Sequence, residues 1–143
     1  MIRVATKEDL SSLESIENSI FSKFDYPLNK RNFSYHIEKK HIFVTVNKNE
    51  VYGYILFFEY KKSIRIYSIA VAIEYLGLGY GTELIRYLMK IAENKSKKLT
   101  LEVKVDNIKA INLYKKLGFV TIKLLISYYL DGKDGFKMVL MKK

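Results

Sequence analysis

The chain has 143 residues, of which 49% are hydrophobic, and it carries a formal charge of +10 with two histidines and no cysteine. The missing cysteine excludes disulfides, thiolate nucleophiles and cysteine-bound zinc. No apolar run approaches the roughly 20 residues that span a bilayer, so the sequence predicts no membrane segment.

The apolar content places the chain among globular proteins, and the length predicts one domain over residues 1–143. Met1 to Thr6 lacks the apolar stretch of a secretory signal, and a cytoplasmic location is expected. The lysines are scattered in short pairs such as Lys39-Lys40, Lys61-Lys62, Lys97-Lys98 and Lys115-Lys116. That pattern predicts a solvated basic surface, not a compact patch for sequence-specific nucleic acid binding. Attraction to a nucleotide cofactor or to the ribosome is the competing meaning of the charge.

In chain order, Ile2 to Ala5 reads as a short strand. Thr6 caps a helix that runs to about Phe21, with Leu10, Leu13, Ile16, Glu17 and Ile20 at helical spacing. An aromatic loop containing Phe24, Tyr26 and the only proline, Pro27, follows. Asn29 caps a second helix through Phe33 and Ile37. Ile42–Val46 and Val51–Tyr60 form a hairpin, with Gly53 marking a bulge or close packing. Ile64–Ile73 is a third strand. After it come Leu76-Gly77-Leu78-Gly79-Tyr80-Gly81-Thr82 and a long amphipathic helix with Leu84, Ile85, Leu88 and Met89 on one face.

Leu99, Leu101, Val103 and Val105 then alternate with polar residues as a strand. Asn107 caps a helix through Ala110, Ile111, Tyr114 and Leu117 that Gly118 stops. Phe119–Tyr129 and Phe136–Met141 close the chain as strands. The order β-α-α-β-β-β-α-β-α-β-β predicts an α/β (α+β) fold with one mixed, mostly antiparallel sheet of about seven strands and about four helices. His36 and His41 lack metal or triad spacing and read as ordinary surface residues; no metal site is expected.

A strand, a glycine turn and a helix together make a phosphate cradle, because glycine admits a close ligand and a helix's first N–H groups attract anions. Three ligands compete for it. A Walker-type loop fails, since Thr82-Glu83 stand where Lys-Ser/Thr is needed. A dinucleotide turn fits poorly: the spacing is G-x-G-x-G, and the turn follows an antiparallel meander instead of opening a parallel sheet. The third is acetyl-coenzyme A.

Leu76-Gly77-Leu78-Gly79-Tyr80-Gly81 resembles the R/Q-x-x-G-x-G/A signal of the GNAT family of N-acetyltransferases, with Leu76 in place of the usual Gln or Arg. Leu101-Glu102-Val103, Asn107, Ala110 and Leu113 to Phe119 are similar to that family's "LEV…N…A…LY…LGF" block. Tyr128-Tyr129-Leu130-Asp131-Gly132-Lys133-Asp134-Gly135 resembles the "YY-x-DG-x-DA" ending of the protein N-terminal acetyltransferases of RimI and Ard type. The resemblance runs from end to end of the chain and implies the GNAT fold with acetyl-CoA as cofactor. It also implies transfer of acetyl to the N-terminal α-amino group of a protein, such as a ribosomal protein.

By that resemblance, Ile69, Ala70 and Val71 offer backbone to the cofactor, Leu76 to Thr82 cradle its phosphates, and Asn107 and Tyr114 complete the cofactor site. Glu102 is the candidate general base, set on the face opposite Leu101 and Val103, and Tyr114 is the candidate acid for the departing thiolate. Phe24, Tyr26, Pro27, Glu102, Tyr128 and Tyr129 are the candidate substrate contacts. With no cysteine to carry the acetyl group, direct attack in a ternary complex is implied. The competing functions are acetylation of lysine or a small amine, and a non-catalytic coenzyme-binding or ribosome-associated module.

Overall fold

In the computed structural model, which describes residues 1–21 and 27–141, the elements follow the expected order. They are β1 (Ile2–Val4), α1 (Leu10–Ile20), α2 (Lys30–Glu38), β2 (Ile42–Asn47), β3 (Glu50–Glu59), β4 (Ser63–Val71), α3 (Tyr80–Asn94), β5 (Lys98–Lys104), α4 (Ile108–Lys116), β6 (Phe119–Leu125) and β7 (Gly135–Leu140). The seven strands form one sheet in the order β1-β2-β3-β4-β5-β7-β6. Only β4 and β5 run parallel; the other neighbours are antiparallel.

Two apolar layers hold the sheet. Leu84, Ile85 and Leu88 of α3 and Ile111 of α4 pack on one face with Leu99, Leu101 and Val103. Leu13 and Ile16 of α1 and Phe33 and Ile37 of α2 pack on the other with Val44, Tyr54, Leu56 and Ala70. Strand alternation therefore places Glu102 on the α1–α2 face, opposite the face that its neighbours bury.

The centre of the sheet is where the fold becomes functional. β4 pairs with β5 only from Ser63↔Lys98 to Ile66↔Leu101. On its other side β4 bulges against β3: Leu56 opposes Ser68 and Phe57 opposes Ile66, which leaves Tyr67 as the extra residue. A bulge bends its strand and shifts the alternation by one. Arg65 before it and Ser68 after it consequently share the α1–α2 face, and the far half of β4 separates from β5.

Some boundaries differ from the sequence expectation. β4 ends at Val71, and Ile73–Tyr75 is a 3-10 turn that leads to the glycines. A 3-10 turn, Lys7–Asp9, also precedes α1. There the Asp9 carboxylate accepts from the Thr6 N–H at 2.7 Å and from Arg3, so the acid does more of the capping than the Thr6 hydroxyl. β6 stops at Leu125, and Tyr128-Tyr129 belong to the loop before β7. Gly53 shows both expected features. Tyr52 beside it is an unpaired extra residue, and a Cβ on Gly53 would meet the Ala70 carbonyl at 2.8 Å.

His36 and His41 are not ordinary surface residues. Both are half-buried, with ring centroids 5.3 Å from Phe58 and Phe57 respectively. Burial lowers the pKa of each. Among the described residues, no helix is long and apolar enough to cross a membrane, and no His, Asp or Glu cluster could hold a metal ion.

Candidate active site

The parting of β4 and β5 opens a cavity of about 660 Å³. Ile69, Glu102, Asn107, Tyr114, Tyr128 and Tyr129, all anticipated from sequence, line it. Phe24 and Tyr26 lie outside the described residues. Pro27 is half-buried and is not part of the lining, which its neighbour Leu28 joins instead.

Glu102 lines the cavity from β5, where its register partner on β7 is Lys137. Its Oε1 accepts from the Arg65 guanidinium and, at 2.9 Å, from the Tyr128 hydroxyl. No described residue bonds Oε2, which remains able to take a proton from the cavity. Arg65 was absent from the sequence reading. The signal existed only in three dimensions, because Arg65 and Glu102 meet across the one parallel strand pair.

Tyr128 and Tyr129 are arranged edge to face, with centroids 5.1 Å apart. Burial, with help from Glu102, raises the pKa of both phenols. Tyr129 is held from below: a Cβ on Gly135 would stand 2.7 Å from its Cε2. The glycine at that position is what lets the ring settle onto the strand. The loop itself is closed by the Tyr129 carbonyl accepting from the Gly132 N–H at 2.9 Å and by Asp134 accepting from the Ser127 N–H at 2.8 Å.

Tyr114 enters from α4 on the opposite face. Its side chain is 8% exposed and packs edge to face on Phe119, with 5.8 Å between centroids. Burial alone pushes its pKa up to about 12. Asn107, as expected, caps α4 by accepting from the Ala110 N–H at 3.3 Å.

Ala70, Val71 and the glycine turn line no part of this cavity; they continue from it along β4. Ala72 donates to the Tyr52 carbonyl at 2.8 Å. By antiparallel alternation, Ala70 also faces β3, while the Ile69 and Val71 amides face the edge that β5 has left. Gly77 and Gly79 adopt φ of +79° and +88°, a region that side chains avoid. Gly79 is the N-cap of α3, whose first intrahelical bond runs from the Glu83 N–H to its carbonyl. The N–H groups of Tyr80, Gly81 and Thr82 precede that bond and are open to an anion.

Leu76 and Leu78, 54% and 64% exposed, bring no charge to this cradle. Its support is aromatic: Tyr52 stacks on Tyr75 at 3.6 Å and meets Tyr80 edge-on at 5.1 Å. Tyr80 thus contributes an N–H to the cradle, and its ring serves as a brace.

These features fit a pantetheine thioester whose phosphates rest on backbone N–H groups and whose reactive end reaches the β4–β5 opening. The sequence profile of the acetyltransferase (GNAT) family matches residues 9–119. The chain belongs to this family. As a GNAT protein it is an acetyl-CoA-dependent acetyltransferase, and both the sheet order and the opened β4–β5 pair find their place. It is 38% identical over 128 residues to an N-alpha-acetyltransferase of Sulfurisphaera tokodaii, covering 75% of this chain and 77% of that one. The ribosomal-protein-S18-alanine N-acetyltransferase structure from Escherichia coli superposes with a TM-score of 0.85 at 25% identity, covering 100% of this chain and 96% of that one. Ard1 from Thermoplasma volcanium shares the fold with a TM-score of 0.86 at 24% identity, covering 99% and 98%.

Proposed function

We propose that this GNAT chain, acting as one domain over residues 1–143, transfers acetyl to the N-terminal α-amino group of a protein. One observation carries the reading: Glu102, tied through Oε1 to Arg65 and Tyr128, presents Oε2 where the β4 edge opens. The relatives named for N-alpha and ribosomal-protein-alanine acetylation support it. A ribosomal protein as substrate, ribosome association and a cytoplasmic site of action also suit the charge of +10.

Bound acetyl-CoA supplies an activated acetyl group as a thioester. The N–H groups of Gly79 to Thr82 hold its phosphates, and the Ile69 and Val71 amides hold its arm, with the Val71 N–H as candidate oxyanion contact. Tyr128 and Tyr129 seat the peptide's first residue against Leu28. An α-amine has a pKa of roughly 8, against about 10.4 for lysine, so a modest base suffices. Glu102 Oε2 accepts the amine's proton, directly or through a water, as the amine attacks.

Tyr114 stays protonated at its pKa of about 12. Its role is to donate a hydrogen bond to the departing sulfur, and the one proton that Glu102 takes from the amine is the one that passes through water to the thiolate.

Intact-mass measurement with acetyl-CoA tests the reading. Peptides with a free N-terminus are expected to gain one acetyl group, and N-terminally blocked peptides with an internal lysine are expected to gain none. Preference for the lysine peptides would overturn it.

A further inference from the structure

A second carboxylate lines the same cavity. Glu17 of α1 is 3% exposed, an expensive position for a charge unless its oxygens are bonded. Its Oε2 accepts from the Leu28 N–H at 2.6 Å, and its Oε1 accepts from the Tyr54 hydroxyl. The Tyr54 oxygen in turn lies 2.9 Å from Ser68 Oγ. Tyr54 is paired with Ala70, so Ser68 is its diagonal neighbour on the same face, one step past the bulge.

Counting protons gives this chain a direction. A carboxylate can only accept, so the single Tyr54 proton points to Glu17. Burial, reinforced by Glu17, raises the Tyr54 pKa and keeps that proton in place. Tyr54 can then only accept from Ser68, and Ser68 must give its one proton to Tyr54. What Ser68 shows to the cavity is its oxygen lone pairs. Glu102 stands across the opening.

We propose that Glu17 and Tyr54 are positioning residues that fix the polarity of the Ser68 hydroxyl, so that Ser68 Oγ accepts an N–H of the incoming α-amine. The proposal rests on the N-terminal acetylation reading and deepens it. An amine attacking a carbonyl must aim its lone pair at carbon, so its N–H bonds point back towards the protein. Glu102 takes one as the leaving proton, and Ser68 Oγ holds another and thereby sets the angle of approach. No proton travels along the Ser68–Tyr54–Glu17 chain; its work is orientation.

Steady-state kinetics with a free-N-terminus peptide test this. Ser68→Ala is expected to lower kcat/KM for the peptide about tenfold and leave KM for acetyl-CoA unchanged. Ser68→Thr, which keeps the hydroxyl, is expected to restore most of the loss. Tyr54→Phe removes the acceptor for the Ser68 proton and should cost a similar factor in the wild type but nothing more in the Ser68→Ala background. Glu17→Gln should match Tyr54→Phe. Its carbonyl must serve the Leu28 N–H, which cannot reverse, so its NH2 faces Tyr54 and turns the chain around. Melting curves of each variant exclude unfolding as the cause, and Ser68→Ala removes only one half-buried hydroxyl.

Three results would overturn the proposal alone: peptide kcat/KM within twofold of wild type in Ser68→Ala; a Tyr54→Phe cost that is the same with and without Ser68; or Glu17→Gln at wild-type activity. A wild-type enzyme that acetylates no N-terminal amine would overturn the underlying reading as well.

Discussion

The two walls of the proposed active site are made of different material. The donor wall, from Ile69 to Thr82, offers backbone: amides turned to an open strand edge, two glycines in the left-handed region and a helix's first turn. The acceptor wall offers side chains from four elements, with Glu17 on α1, Arg65 and Ser68 on β4, Glu102 on β5 and Tyr128-Tyr129 before β7. A backbone wall is contiguous in the chain and tolerates almost any side chain, provided that the φ angles are allowed. A side-chain wall exists only after long-range pairing, and there a change of one atom matters.

That contrast orders the expected effects of substitution. The largest belongs to the acceptor wall. Glu102→Gln removes the carboxylate oxygen, Oε2, that no described residue bonds and keeps the shape, so kcat is expected to fall about 10²-fold or more with KM for acetyl-CoA unchanged. Wild-type kcat in that variant would show that the wall does not perform the proton transfer. Tyr114→Phe lies between the walls and, on the proposed mechanism, deletes one hydrogen bond to the departing sulfur. A loss of about tenfold in kcat is expected, and equal loss in peptide and acetyl-CoA binding instead would place Tyr114 in the core only.

Gly79→Ala tests the donor wall. Nothing lies within 4 Å of the added Cβ, so any cost comes from φ +88° and not from contact. The cost is expected to be about 1 kcal/mol of stability, with KM for acetyl-CoA raised several-fold and the peptide's specificity unaltered. A change in peptide specificity would break the division between the walls.

The smallest effect belongs to neither wall. His36 and His41 have folded-state pKa values lowered chiefly by burial, below the roughly 6.5 of the unfolded chain. Above pH of about 6.5 both are neutral in both states, and their contribution is fully present. As pH falls through that value the unfolded chain binds protons first, so stability declines. Melting temperature is expected to drop as pH is lowered from about 7 to about 5, and a His36→Gln/His41→Gln variant should lose that slope.

Much of the fold was legible along the chain because periodicity reports which face of an element is buried. Leu99, Leu101 and Val103 on one side placed Glu102 on the other, and the glycines after Ile73 announced a turn, in which Gly77 and Gly79 take positive φ. The Tyr-Tyr ending was recognised by resemblance, although its residues lie in a loop and not in the expected strand. Arg65, Ser68 and Tyr54 carried no such signal, and Glu17 showed only the helical spacing it shares with Leu10, Leu13, Ile16 and Ile20. In sequence, Tyr54 is one aromatic in an apolar strand, and Glu17 is a polar residue in an amphipathic helix. The half-burial of His36 and His41 was equally hidden, since it depends on Phe57 and Phe58 arriving from another strand.

The sequence by itself determined the element order, the glycine turn and the family, because each rests on local geometry or on a contiguous motif. Only the tertiary structure decided what faces the cavity. The bulge at Tyr67 shifts strand parity so that Arg65 and Ser68 share the face of Glu102. The early end of β4–β5 pairing opens the cavity between them. Both are properties of strand register, which no single stretch of the chain contains.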